Sequence, residues 1–169
     1  GQYAATYQSG KLPTPYFDAN DGHPAYLLIN DGSGFFTDRT VESGLAAKRN
    51  RRTYSASFVN LDSDDDLDLM VVSDFAGLDL YLNNGAGRFV DVTDTLGEAH
   101  YSFGMSHALA DFNGDGQGDF AVSMSASGLQ EDNGLVYVYL NNSLLGPQVR
   151  IVVNGMAENS YLGEGSGGL

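Results

Sequence analysis

Leu80-Tyr81-Leu82-Asn83-Asn84-Gly85-Ala86-Gly87-Arg88-Phe89-Val90-Asp91-Val92-Thr93 decides the fold, because the chain contains it twice. Its echo, Leu27-Leu28-Ile29-Asn30-Asp31-Gly32-Ser33-Gly34-Phe35-Phe36-Thr37-Asp38-Arg39-Thr40, stands 53 residues earlier. Its opening returns 58 residues later as Val138-Tyr139-Leu140-Asn141-Asn142. Two acidic stretches, Asn60-Leu61-Asp62-Ser63-Asp64-Asp65-Asp66-Leu67-Asp68 and Asp111-Phe112-Asn113-Gly114-Asp115-Gly116-Gln117-Gly118-Asp119, lie 51 residues apart. Separate offsets in the fifties define a repeat of about 50–58 residues, the range of propeller and solenoid units.

Each unit reads as β-structure. Before the first acidic stretch Tyr54, Ala56 and Phe58 alternate with Ser55, Ser57 and Val59; after it Leu67, Leu69 and Val71 alternate with Asp68, Met70 and Val72. That period of two is the strand period. Asn84-Gly85 and Asp31-Gly32 sit between apolar runs and predict hairpins with type I′ turns, which need positive φ at both central residues. A unit is therefore strand, acidic turn, strand, short loop, strand, Asn-rich hairpin, strand. Four short antiparallel strands per unit are the pattern of a β-propeller blade.

The expected division is 1–45 for the C-terminal half of a blade, 46–97 and 98–143 for blades that each carry an acidic loop, and 144–169 for a tail or the start of a following β module. Propellers close with about four to eight blades, and an open arc leaves sheet edges bare. The fold class is all-β, a partial propeller or a piece of a larger one.

Composition narrows the chemistry. Of the 169 residues 42% are hydrophobic and 11% aromatic, as in a folded domain with a core. A net charge of -14 excludes nucleic acid as partner, since that affinity comes from Lys and Arg on phosphates. The 22 acids comprise 17 Asp and 5 Glu, which points to turns and ligand loops rather than helix surfaces. With no cysteine there is no disulfide, thiolate zinc site or Cys nucleophile. No apolar run reaches the roughly 18 residues of a membrane span. The chain begins with Gly1, so the expectation is a removed leader or a piece of something longer.

The acidic stretches place oxygen-bearing side chains at positions 1, 3, 5 and 9 of a nine-residue turn. Ca²⁺ takes six to eight oxygens from carboxylates, amides and backbone carbonyls on short loops. So many carboxylates in nine residues repel each other unless a cation compensates. The spacing is not that of an EF-hand, whose twelfth position is a bidentate Glu; here that position falls on Val71 and Val122. The alternative is an Asp/Asn/Gly turn that binds nothing.

Asp111-Phe112-Asn113-Gly114-Asp115-Gly116-Gln117-Gly118-Asp119-Phe120 resembles the calcium loop of FG-GAP/VCBS repeats, the units of integrin-α-like propellers, and Asn133-Gly134-Leu135-Val136-Tyr137-Val138-Tyr139-Leu140 is similar to the strand that follows it. Residues 80–93, with Ser43-Gly44-Leu45 after Phe36-Thr37-Asp38-Arg39-Thr40, resemble the subset carrying an ASPIC/UnbV segment; Val149-Arg150-Ile151-Val152-Val153-Asn154-Gly155, Asn159 and Gly163 resemble that segment's opening. The chain departs from the repeat at Asn60, where Asp is usual, and at Asp65, where Gly is common. The resemblance implies about two Ca²⁺ ions, one per loop. One would be held by Asp111, Asn113, Asp115 and Asp119 with the Gln117 carbonyl, the other by Asn60, Asp62, Asp64 and Asp68 with the Asp66 carbonyl. It also implies a non-enzymatic module that is extracellular, on the cell surface or periplasmic.

Other motifs carry less. His23, His100 and His107 fall at unrelated repeat positions, which reads as surface or interface histidines. Gly104-Met105-Ser106-His107-Ala108 lacks the strand–turn–helix setting of a nucleophile elbow. Gly163-Glu164-Gly165-Ser166-Gly167-Gly168 has no following helix to bind phosphate, and Asn141-Asn142-Ser143 is a formal glycosylation sequon. Lys48, Arg49, Arg51 and Arg52 hold half of the eight basic residues; they either dock an acidic partner or balance nearby carboxylates within the fold. The expected function is a calcium-binding structural or protein-interaction module, its partner a protein or the remaining blades of the same propeller. The alternatives are a carbohydrate-binding module, the propeller portion of a larger secreted enzyme, or an accessory subunit of a surface or envelope assembly.

Overall fold

The computed structural model describes residues 15–62, 64–101, 106–124, 135–141 and 148–154. Among them the chain is all-β, with ten strands in three antiparallel sheets. A hairpin joins β1 (Leu28–Asn30) to β2 (Phe36–Asp38). A four-stranded meander follows, from β3 (Arg52–Val59) through β4 (Asp68–Asp74) and β5 (Gly77–Asn83) to β6 (Phe89–Asp91). A second contains β7 (His107–Ala110), β8 (Asp119–Met124), β9 (Leu135–Leu140) and β10 (Gln148–Asn154). Strand order in each meander follows the chain, the topology of a propeller blade.

The fourth strand of the second sheet comes from farther along than the expected boundary at residue 143. Residues 148–154, read as the opening of a following module, pair antiparallel with β9. Asn142, Ser143, Asn159, Gly163 and the glycine-rich 164–168 lie outside the described residues, as do Gly104 and Met105. The sequence showed no helical periodicity; a 3₁₀ segment, Thr93–Tyr101, nonetheless leads out of the first sheet and breaks at Gly97 (φ 59, ψ -140).

The duplicated stretch folds the same way twice. Asp38 Oδ1 accepts the Thr40 N–H (2.9 Å) and hydroxyl (2.6 Å), and the Thr40 hydroxyl oxygen accepts the Leu27 N–H (2.9 Å). Asp91, Thr93 and Leu80 repeat this with 3.0, 2.5 and 3.2 Å. The hairpin loops are five residues long rather than two-residue type I′ turns, because each contains Gly-x-Gly. Gly32 and Gly34, like Gly85 and Gly87, all take positive φ. Asp31 and Asn84 seed these loops: the Oδ1 of each accepts N–H groups two and four residues on.

The first meander is covered on both faces, so β4 and β5 are buried nearly throughout rather than in alternation. Met70, Val72, Leu78 and Leu80 pack with Phe120, Val122 and Tyr139 of the second meander, and Leu61 and Leu96 complete this core. Phe120 and Tyr139 stack at 4.6 Å between centroids. On the opposite face Leu69, Tyr81 and Phe89 meet Leu27 and Leu45 from the N-terminal hairpin region. Ser43 accepts the Phe89 N–H at 2.8 Å, and a Cβ on Gly44 (φ 89) would strike the Phe89 carbonyl at 2.7 Å. Only glycine fits where hairpin and sheet come this close.

Candidate metal centre

Both acidic loops join the first two strands of a meander, Asn60–Leu67 between β3 and β4, and Asp111–Gly118 between β7 and β8. Each closes on its ninth residue, the first residue of the following strand. Asp68 and Asp119 are both 0% exposed. One oxygen of each accepts the N–H of loop position two: Leu61 N–H to Asp68 Oδ2 at 2.6 Å, Phe112 N–H to Asp119 Oδ2 at 2.8 Å. The other accepts an N–H from the third strand's end: Asn83 to Asp68 Oδ1 at 2.8 Å, Asn141 to Asp119 Oδ1 at 2.7 Å. The two units thus reproduce one bonding scheme at independent positions. Burial pushes the Asp68 carboxyl up; its two N–H donors oppose this, and Asp62 and Asp64 add repulsion.

The remaining loop acids are exposed or half-buried and turn toward their own backbone. Asp111 Oδ1 accepts the Gly114 (2.6 Å) and Asp115 (3.1 Å) N–H groups, and its Oδ2 accepts Gly116 N–H at 2.8 Å. Asn113 Oδ1 accepts Asp115 N–H at 3.0 Å, while its Nδ2 donates to Asp115 Oδ2 at 2.8 Å. Asp115 Oδ1 takes the Gln117 N–H at 2.8 Å. In the other loop Asp62 accepts Asp64 N–H (3.3 Å) and Asp64 accepts Asp66 N–H (2.9 Å), and Asn60 Nδ2 donates to the Asp64 carbonyl. Asp66 lies against the neighbouring hairpin loop, where a Cβ on Gly85 would meet its Oδ2 at 2.6 Å.

The donor chemistry fits a hard cation, since every candidate is an oxygen and the Asp62 and Asp64 carboxylates repel that of Asp68. Two further amide oxygens, Asn83 Oδ1 and Asn141 Oδ1, are buried beside the loops without a hydrogen-bond partner. The carboxylates are not drawn into a shell: among the described residues no three acidic or histidine side chains stand together as a metal-holding group. Asn83 and Asn141 were absent from the expected ligand sets, although the repeated Leu-Asn-Asn that contains them is plain in the sequence.

The basic cluster turns inward. Lys48 Nζ reaches Asp79 Oδ1 at 2.9 Å and Asp91 Oδ2 at 2.7 Å. Arg51 pairs with Asp18 (2.5 Å) and Asp79 (3.1 Å), and Arg52 with Asp21 (3.0 Å). Arg49 lies over the Tyr26 ring at 4.7 Å. These contacts fasten residues 15–52 to the first meander, which is the carboxylate-balancing role rather than a docking surface. Burial pulls the Lys48 ammonium down, but its bonds to Asp91 and Asp79 outweigh that and leave it raised. Asp79, 1% exposed, is raised by burial against the pull of Arg51 and Lys48. His107 stands between the meanders, with Nδ1 3.3 Å from Ser55 Oγ and Nε2 2.6 Å from Ser57 Oγ. His23 is exposed.

No helix of the described residues is long and apolar enough to cross a membrane. No curated protein matches the chain. Residues 60–122, from the first residue of one acidic loop through β4, β5 and β6 to the strand that follows the other, match the family model of the FG-GAP-like repeat.

Proposed function

We propose that this chain is a non-enzymatic propeller segment whose two acidic loops each bind a Ca²⁺ ion, and that it serves as an extracellular structural or protein-interaction module. The observation that carries the reading is the duplicated bonding scheme of Asp68 and Asp119, which frames two carboxylate-rich loops alike. Asp111, Asn113, Asp115 and Asp119 with the Gln117 carbonyl would hold one ion; Asn60, Asp62, Asp64 and Asp68 with the Asp66 carbonyl would hold the other. The ion supplies positive charge to loops whose carboxylates, among the described residues, accept N–H groups of the chain. Its role is to pin the strand pair, and the module's partner is a protein or further blades. An ion that binds the folded loops and not the unfolded chain adds about 2.7 kcal/mol per site at a hundred times its dissociation constant. The melting temperature of chelator-treated protein should therefore rise when Ca²⁺ is restored, followed by circular dichroism. An unchanged melting temperature across millimolar Ca²⁺ would contradict the reading.

A further inference from the structure

Asn83 and Asn141 hold the same place in the two repeats, and each gives its N–H to the ninth-position Asp of its own unit. Their amides then diverge. Asn83 Nδ2 donates to the Leu67 carbonyl at 3.1 Å, closing its own loop. Asn141 Nδ2 crosses to the other meander and donates to the Asn60 carbonyl at 3.2 Å. One residue thus grips position nine of one acidic loop and position one of the other. Asn141 is 5% exposed, and its Oδ1 is buried with no hydrogen-bond partner. The contact has close support: a Cβ on Gly118 would lie 3.6 Å from Val59 Cγ2, so position eight of one loop abuts the residue before the other.

We propose that Asn141 couples the two acidic loops into one cooperative cation-binding unit, an inference that rests on reading the loops as Ca²⁺ sites. Asp119, fixed as a ligand, fixes the Asn141 N–H; Asn141 then holds the Asn60 carbonyl and with it the start of the other loop. Ordering one loop lowers the cost of ordering the other, and the coupling is reciprocal. Asn83 has no such reach, because its amide stays within its own unit.

The test is a calorimetric Ca²⁺ titration of the full chain after chelator treatment, with circular dichroism as the check on folding. The wild-type chain should bind two ions with a Hill coefficient above one. Asn141→Ala should still bind two, with the coefficient reduced to one, while Asn83→Ala keeps its cooperativity. Asp115→Ala, which cripples one loop, should weaken the remaining site by about fivefold or more, the lower range of allosteric coupling. In an Asn141→Ala background the same substitution should leave the remaining site unaltered. Two independent ions in the wild type, or undiminished cooperativity in Asn141→Ala, overturns the coupling while leaving the calcium reading intact. Absence of any binding overturns both and is distinguished by zero stoichiometry. Should Asn141→Ala fail to fold, the wild-type coefficient and the Asp115→Ala affinity decide.

Discussion

Asp68 and Asp119 do different work from the acids around them, because each stands buried between two backbone N–H groups from separate segments. Removing such a carboxylate leaves two donors unpaired, one buried and one part-buried, at about 1–3 kcal/mol for the buried one and less for the other. Asp115 is exposed and takes its N–H groups, the Gln117 backbone and the Asn113 amide, from its own exposed loop, so its loss in metal-free protein should fall within about 0.5 kcal/mol. Urea unfolding of chelated Asp119→Ala and Asp115→Ala should therefore separate by several kcal/mol. Equal midpoints would remove the structural role assigned to position nine. The sequence displayed both residues as candidate ligands, since spacing reports residue type. It could not distinguish a buried bracket from an exposed arm, because that difference depends on Leu61, Asn83, Phe112 and Asn141 meeting the carboxylates in space.

Among the elements, the two meanders meet through an apolar core and through polar bridges, the Asn141–Asn60 contact and His107 of β7 between Ser55 and Ser57 of β3. Burial holds the imidazole below its ordinary value of 6.5, so the unfolded chain takes up the proton more readily. Stability from this residue is present above pH 6.5 and declines as pH falls through that value toward the folded one. His107→Ala should flatten the stability profile between about pH 7.5 and 5 relative to wild type. Identical profiles would show that the bridge is indifferent to protonation. The N-terminal region is fastened differently, by the ion pairs of Lys48 and Arg51 with Asp79. Truncating one partner of a buried pair costs about 3–5 kcal/mol, so Asp79→Ala should lower stability by that amount in urea titration. A loss below 1 kcal/mol would mean that the pairs only offset their own desolvation. This network was illegible beforehand, because Lys48 and Asp79 are 31 residues apart and charge counts name no partners. The hairpin loops were misread for a simpler reason: Asn-Gly suggested two residues, and the second glycine, Gly87 or Gly34, lengthens each loop to five.

At the scale of the whole molecule, the all-β blade pattern was legible because its periodic features are local. The duplicated Asp-x-Thr staple, the Gly-x-Gly loop and the acidic turn each bond mainly within a few residues, so the sequence repeats what the backbone repeats. The second meander escaped in one respect, since β10 lacks the Gly-x-Phe-x-Asp hairpin of its counterpart and had been placed in the tail. The net charge of -14 sits on a fold that commits three of its eight Lys and Arg residues, Lys48, Arg51 and Arg52, to internal ion pairs. Among the described residues the acidic loops' carboxylates accept N–H groups of the chain, and a divalent cation would balance their charge. Equilibrium dialysis of the chelator-treated chain against Ca²⁺, with bound metal quantified by mass spectrometry, tests it most directly. Two ions per chain are expected, falling to one in Asp115→Ala. Bound calcium indistinguishable from zero in the folded wild-type chain would contradict it.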